Sequence, residues 1–125
     1  MELKVFVGND IPLSLKALTL SNGLMQYWLM DRKNVVAVVA YENGVHVGWC
    51  AYNVIDENIV EVGTFVLSEY RQCNLATRLL NATMYALSSA IPNAQVRYGS
   101  SIHLEYNDTM MRTIKNHGLE AVRWY

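Results

Sequence analysis

Two apolar runs joined by an Asn-Gly pair constrain the fold of this chain more than any other feature of its sequence. Val35 to Tyr41 and Val45 to Tyr52 each have the length of a strand, and Asn43-Gly44 lies between them. Asn-Gly in that position is the strongest short-range signal for a β-hairpin. A second polar turn, at residues 56–58, leads into a third apolar stretch, Ile59 to Leu67. The sequence therefore predicts a three-stranded meander.

Helical and extended segments alternate on either side of this meander. Apolar residues recur at helical spacing between residues 13 and 30 and again from Leu75 to Ser89, where one face carries Leu75, Leu79, Ala82 and Ala86. Asn107 or Asp108 is predicted to cap a last helix that ends at Gly118. The remaining predicted strands are Leu3 to Val7, Gln95 to His103 and Leu119 to Tyr125. The pattern predicts an α/β (α+β) fold in one domain, residues 1–125.

Composition and charge narrow the classes of partner. The 125 residues carry a formal net charge of −1, so no basic excess indicates a nucleic-acid partner. The apolar runs are far shorter than the roughly 20 residues of a membrane-spanning helix. The two cysteines predict neither a disulfide framework nor a metal site. No signal peptide is recognisable, so we expect a cytoplasmic protein that does not contact a membrane.

The segment from Val66 to Leu80 is the one that suggests chemistry. A strand ends there, a short polar loop follows, and a helix begins with small residues. The first turn of a helix leaves backbone N–H groups outside the hydrogen-bond ladder, at the positive end of the helix dipole, and so favours a phosphate or pyrophosphate. Ala76 leaves room for such a ligand and Arg71 adds a charged donor. The alternative is an ordinary strand–turn–helix connection.

This segment resembles the acyl-CoA-binding motif of the GNAT family of N-acetyltransferases. The family motif reads Arg/Gln-x-x-Gly-x-Gly/Ala, and the stretch Arg71-Gln72-Cys73-Asn74-Leu75-Ala76 matches it at its first and last positions. Val66 and Tyr70-Arg71 match the lead-in, and Tyr41 to Trp49 resembles the family hairpin. Asn107 with Gly118-Leu119 resembles the pattern around the last family helix.

The resemblance implies a central, mostly antiparallel mixed sheet flanked by helices. It implies an acyl-CoA-dependent N-acyltransferase that transfers acetyl from acetyl-CoA to a primary amine by direct attack in a ternary complex. The amide of Val66 or Leu67 would polarise the thioester carbonyl. The implied cofactor-binding residues are Val66, Leu67, Arg71, Gln72, Cys73, Asn74, Leu75, Ala76, Thr77 and Asn107.

Two positions depart from the family pattern. Asn74 stands where the family has its first glycine, and asparagine tolerates a positive φ better than most residues. Ile114 stands seven residues after Asn107, where the family often has the tyrosine that protonates the leaving thiolate. The second departure leaves open whether the protein catalyses at all.

Three residues are candidates for proton transfer. Glu61, on the third strand of the meander, is the first candidate for a general base, and the alternative is a carboxylate that faces solvent. His103 is the second, and the alternative is a structural histidine. Tyr106 could supply a phenolic proton, and the alternative is an aromatic residue that covers the start of a helix.

Three functions remain open on this sequence. The leading one is the N-acetyltransferase with an amine acceptor of unspecified class. The second is a non-catalytic GNAT-shaped protein that binds CoA or a protein partner, and the third is an unrelated α+β dimerisation module. A homodimer stays open in each case, because two aromatic residues lie at the C-terminus, in Arg123-Trp124-Tyr125.

Overall fold

The fold is seen in a computed structural model that describes residues 1–15, 31–71, 74–99 and 104–123, without the side chains of residues 104–106. Most of the predicted helical region between residues 13 and 30 lies outside the described residues. Within them the elements are β1 (Glu2–Val7), β2 (Val35–Glu42), β3 (Val45–Val54), β4 (Ile59–Val66), α1 (Leu75–Ala90), β5 (Gln95–Tyr98), α2 (Leu104–Asn116) and β6 (Glu120–Arg123).

The strands form one mixed sheet in the order β1-β2-β3-β4-β5-β6. The pairings from β1 to β4 are antiparallel, whereas β4–β5 and β5–β6 are parallel. Each parallel pair is joined by a helical crossover, α1 or α2, as parallel pairing requires. The predicted mixed, mostly antiparallel sheet with flanking helices is therefore confirmed.

The hairpin between β2 and β3 forms where the Asn-Gly pair predicts it. Asn43 has φ 52° and Gly44 has φ 80°, so both central residues of the turn are left-handed. A two-residue turn of that kind matches the right-handed twist of the flanking strands.

Alternation along the strands gives the sheet two buried faces. One face packs under α1 and α2, and Val60, Val62 and Val66 of β4 belong to it. Trp49 and Phe65 lie on the opposite face, with Ile11 and Leu15 from the segment after β1. Because side chains alternate with period two, the intervening β4 residues Glu61 and Gly63 also lie on the opposite face.

Two details of the helices differ from the sequence prediction. The buried stripe of α1 consists of Leu75, Leu79, Leu80, Thr83, Met84 and Leu87. Ala82 and Ala86 lie beside this stripe and are only half-buried. The helix turns its larger apolar side chains toward the sheet, because they bury more apolar area than alanine does. Helix α2 begins at Leu104 and not at Asn107.

The end of α2 agrees with the prediction. Gly118 has φ 78°, its N–H donates to the Lys115 carbonyl at 2.9 Å, and the Leu119 N–H donates to the Ile114 carbonyl at 3.3 Å. This pair of bonds is a Schellman motif, which turns the chain from α2 into β6.

Candidate active site

A wedge opens where β4 and β5 part. The parallel ladder runs from Ile59–Gln95 to Glu61–Arg97, and β5 ends at Tyr98. Strand β4 continues to Val66, beyond the last described pair. The far half of β4 therefore presents a backbone edge to the space between the two strands.

The hydrogen bonds of β4 decide which amide faces this wedge. The Leu67 N–H donates to the Val47 carbonyl at 2.9 Å, so Leu67 is bonded to β3. Antiparallel ladders alternate between bonded and non-bonded pairs, and the next pair, Gly48–Val66, is non-bonded. The backbone N–H and C=O of Val66 therefore point away from β3, toward the wedge. Of the two amides named from the sequence, that of Val66 faces the wedge, whereas the Leu67 N–H is already used within the sheet.

Arg71 closes one end of the wedge. Its Nε donates to the Val66 carbonyl at 2.9 Å, which brings the guanidinium to the outward edge of β4. The bond holds the guanidinium at that edge, three residues before Asn74 and the start of α1. Gln72 and Cys73, which follow it, are outside the described residues.

The N-terminus of α1 has the backbone shape that an anion site needs. Asn74 precedes the helix with φ 59° and ψ 19°, a left-handed conformation, and its side chain makes no cap hydrogen bond. The helical ladder begins with the Arg78 N–H, which donates to the Asn74 carbonyl at 3.0 Å. A left-handed residue followed by helical ones turns successive N–H groups toward one point, a concavity that binds anions. Asparagine thus takes the conformation for which the family uses glycine.

The side chains of the first turn of α1 have different surroundings. Leu75 is fully buried in the core, so only its backbone could contact a ligand. Ala76 and Thr77 are half-buried. The small side chain of Ala76 adds little bulk at the start of α1.

Glu61 lies on β4 at the last described rung of the parallel ladder. It is 8% exposed, so the alternative of a solvent-facing carboxylate is wrong. Its Oε2 is buried, with no hydrogen-bond partner among the described residues. Burial raises the pKa of Glu61 above its ordinary value, and the positive charge of Arg97 opposes that rise. A carboxylate in such a site is a stronger base than one in water.

Arg97 is the residue of this site that the sequence interpretation missed. It lies opposite Glu61 in the register of β4 and β5. Its neighbours Val96 and Tyr98 are buried on the helix-covered face, so Arg97 points to the same face as Glu61. The alternation Val-Arg-Tyr was readable from the sequence, but the register that places Arg97 beside Glu61 was not.

Helix α2 changes the roles predicted for two residues. Asn107 is 1% exposed and is the fourth residue of α2, so it does not cap the helix as the sequence predicted. Ile114 is fully buried in the core with Leu119 and Met110. The backbone of Tyr106 lies in the first turn of α2 and its side chain is not described, whereas His103 lies outside the described residues.

The described residues contain no group of three or more histidine, cysteine or acidic side chains placed to hold a metal ion. Within the same residues, no helix combines the length and the apolar character that crossing a membrane requires.

Comparison with known proteins agrees with this fold. The chain resembles the structure of an aminoglycoside acetyltransferase from an uncultured soil metagenomic sample, in complex with trehalose, at 15% identity and a TM-score of 0.65, over 91% of this chain and 86% of that one. It also resembles an aminoglycoside N-acetyltransferase in complex with CoA, at 15% identity and a TM-score of 0.61, over 90% and 89% of the two chains. The IAA acetyltransferase from Bacillus cereus gives 14% identity and a TM-score of 0.66, over 89% and 73%. At these identities the likeness establishes the fold.

No curated protein is significantly similar to the chain in sequence. The model of the acetyltransferase (GNAT) family matches residues 12–98, well over half of the chain. Acetyl-CoA is the usual cofactor of that family. The start of α1, with the left-handed Asn74, fits its pyrophosphate, and the wedge fits its thioester. The chain therefore belongs to the GNAT acetyltransferase family.

Proposed function

We propose that this protein is an N-acetyltransferase that transfers the acetyl group of acetyl-CoA to an amine. The observation that carries the proposal is the position of Glu61. This buried carboxylate lies on the strand whose far end, at Val66, supplies an outward-facing amide beside the N-terminus of α1. A base, a donor for the thioester carbonyl and an anion site thus occur along one strand–loop–helix segment.

The start of α1 would hold the pyrophosphate. The N–H groups of its first turn, the left-handed Asn74 and the terminal nitrogens of the Arg71 guanidinium are the donors on this side of the wedge. Residues Leu75, Ala76 and Thr77 would contribute through their backbone. We keep Asn107, which is buried in α2, as a proposed contact to the pantetheine arm, because the family resemblance implies that role.

Chain residues would act on the acetyl transfer in two ways. Acetyl-CoA supplies the acetyl group as a thioester. The Val66 N–H would stabilise negative charge on the thioester oxygen while the amine nitrogen bonds to the carbonyl carbon and the carbon–sulfur bond breaks. Glu61 would accept, through water, the proton that the amine loses. The sulfur leaves as a thiolate, whose conjugate acid has a pKa of about 8.5, so protonation by solvent suffices.

The buried Ile114 makes a non-catalytic function the second candidate. No phenol stands at that position, and Ile114 is fully buried in the core. A protein that binds CoA without transferring acetyl would fit this observation. The same wedge would then serve binding alone.

The first experiment measures CoA binding by calorimetry. Ala76→Glu places bulk and negative charge at the start of α1 and should abolish CoA binding. Ala90→Glu makes the same change at the exposed last residue of that helix and should preserve it. Equal affinity in the two variants would remove the anion site from this helix.

The second experiment measures acetyl transfer to a panel of amines between pH 6 and 9. Glu61→Gln keeps the shape of the side chain and removes its basicity, so kcat/KM should fall by about 10²-fold. An unchanged rate would remove Glu61 as the base. Tight CoA binding without transfer to any amine would favour the non-catalytic candidate.

A further inference from the structure

Gly48 of β3 lies directly opposite Val66, the β4 residue whose amide faces the wedge. The two form a non-bonded pair, in which Cα atoms approach to about 4.5 Å and side chains lie close together. A Cβ atom at position 48 would lie 3.1 Å from the Phe65 carbonyl oxygen, 3.2 Å from Val66 Cγ2 and 3.3 Å from Val66 Cα. Two of these three atoms belong to the backbone of β4, so a change of side-chain rotamer could not relieve the contacts.

Space, and not backbone conformation, is what position 48 requires. Gly44 and Gly118 have positive φ angles, whereas Gly48 does not. Residues with a Cβ atom can therefore adopt the backbone conformation of Gly48. Such a residue would nevertheless displace β4 by a few tenths of an ångström, because the contacts are shorter than ordinary van der Waals contacts.

A β-bulge lies at the same level of the sheet. Ala40 of β2 pairs with Gly48 and Tyr41 pairs with His46, so Val47 is the extra residue of β3. A bulge bends its strand and increases the local twist. The bend therefore occurs beside the far end of β4, where that strand leaves β5.

The backbone of Val66 has β3 on one side and the wedge on the other. Its C=O accepts a hydrogen bond from Arg71 Nε at 2.9 Å, and its N–H points to the same side. A Cβ atom at position 48 would push this backbone away from β3, into the space proposed for the thioester carbonyl. Donors to such an oxygen act over a narrow range, roughly 2.7–3.1 Å, so a shift of this size changes the bond.

We propose, building on the acetyl transfer proposed above, that Gly48 is a positioning residue for the Val66 amide. The missing Cβ atom lets β4 lie close to β3 at this level. That distance sets where the Val66 N–H meets the thioester oxygen.

The first test compares the affinities for acetyl-CoA and for CoA, measured by calorimetry without an amine. The two ligands differ by the acetyl group, so the ratio of their affinities reports on the contact with its carbonyl. The wild-type protein should prefer acetyl-CoA by about 5-fold, the range for one hydrogen bond. Gly48→Ala should bring the ratio close to one and keep most of the affinity for CoA.

Gly44→Ala is the matched control, because it adds the same methyl group to the same hairpin. Gly44 is left-handed, so the change strains the turn and lowers Tm. Among the described residues, no atom beyond its own chain neighbours lies within 4 Å of the added Cβ. This variant should lose stability and keep the wild-type affinity ratio, so it separates a loss of stability from a displaced amide.

The second test observes the Val66 amide itself by NMR. Both phenylalanines of the chain are followed by valine, in Phe6-Val7 and Phe65-Val66. Protein with valine labelled at nitrogen and phenylalanine labelled at the carbonyl carbon therefore gives two carbonyl-to-amide correlations, and Val7 on β1 is the internal reference. Acetyl-CoA should shift the Val66 signal beyond the shift caused by CoA, and Gly48→Ala should abolish that difference.

A double variant covers the case in which Gly48→Ala is too unstable to measure. Val66→Ala removes the Cγ2 atom that the new Cβ would contact and leaves the two backbone contacts. The double variant should therefore show a lower ratio of acetyl-CoA to CoA affinity than Val66→Ala alone. Equal ratios in these two proteins would overturn the inference, as would an unchanged ratio in Gly48→Ala.

Acetyl transfer, measured separately, distinguishes this inference from the proposed function. If no amine is acetylated but the preference for acetyl-CoA exists and is lost in Gly48→Ala, the transfer fails and the positioning role stands. If the wild-type protein binds acetyl-CoA and CoA equally and the Val66 signal does not distinguish them, the positioning role is refuted even if an amine is acetylated.

Discussion

Asn74 gives the sharpest test of the geometry at the start of α1. Its φ of 59° lies in the left-handed region, where a residue with a Cβ atom pays roughly 1–2 kcal/mol and asparagine pays less than most. Asn74→Ala removes the amide that eases this conformation, so the free energy of unfolding should fall by about 1 kcal/mol. Asn74→Gly removes the Cβ as well, at a cost in unfolded-state entropy, and should remain within about 0.5 kcal/mol of the wild type.

The assay is thermal unfolding of the variants with and without CoA. For a chain of this size, 1 kcal/mol corresponds to roughly 3–6 °C in Tm. Asn43→Ala is the matched control, because Asn43 is also left-handed, with φ 52°, but lies in the hairpin between β2 and β3. It should lose comparable stability and keep the CoA-induced rise in Tm. Asn74→Ala should lose part of that rise, since the N–H groups of the first turn are aimed by this backbone conformation.

Two results would refute this reasoning. Equal Tm values for Asn74→Ala and Asn74→Gly would mean that position 74 is not left-handed in solution. A full CoA-induced rise in Asn74→Ala, despite its lower Tm, would mean that the conformation stabilises the chain without serving the ligand.

Three further outcomes follow from described residues. Glu61→Gln should raise Tm at neutral pH and not at low pH. The carboxyl of Glu61 ionises more easily in the unfolded chain than in the folded one. The free energy of unfolding of the wild-type protein therefore falls as pH rises from the ordinary pKa of glutamate toward the raised folded pKa. Parallel pH–Tm curves for the two proteins would refute this. Ile114→Tyr should cost about 1–3 kcal/mol through overpacking at a fully buried position, as read by denaturant unfolding, and should not increase acetyl transfer. Gly118→Ala should cost about 1 kcal/mol in the same assay because Gly118 is left-handed, and CoA affinity should not change.

The parts of this fold that the sequence predicted correctly are those set by residues adjacent to one another in the chain. Asn43-Gly44 and Gly118 encode backbone conformations that asparagine and glycine adopt most easily, and the structure has them there. The left-handed backbone at Asn74 belongs to the same class, since it follows from residue type and from the turn that precedes a helix. Local chemistry was therefore enough for the turns, the meander and the start of α1.

The features that the sequence predicted wrongly or did not reveal depend on contacts between segments that are distant in the chain. Asn107 resembles a cap in sequence, yet α2 begins three residues earlier and buries it. The choice between the Val66 and Leu67 amides depended on the alternation of hydrogen bonds with β3. The juxtaposition of Glu61 and Arg97 depended on the register of two parallel strands about 36 positions apart. No local pattern contains that information.

The short parallel ladder between β4 and β5 has a consequence for the order in which the chain assembles. The meander pairs strands that are close in sequence, whereas β5 pairs with β4 through three described residue pairs, across the α1 connection. Loop-closure entropy makes such a distant pairing late and comparatively weak. The proposed acetyl-CoA site straddles this junction, so a bound nucleotide would hold together the two segments that meet last. Amide hydrogens of β5 and β6 should then exchange fastest in the free protein and slow most when CoA is bound.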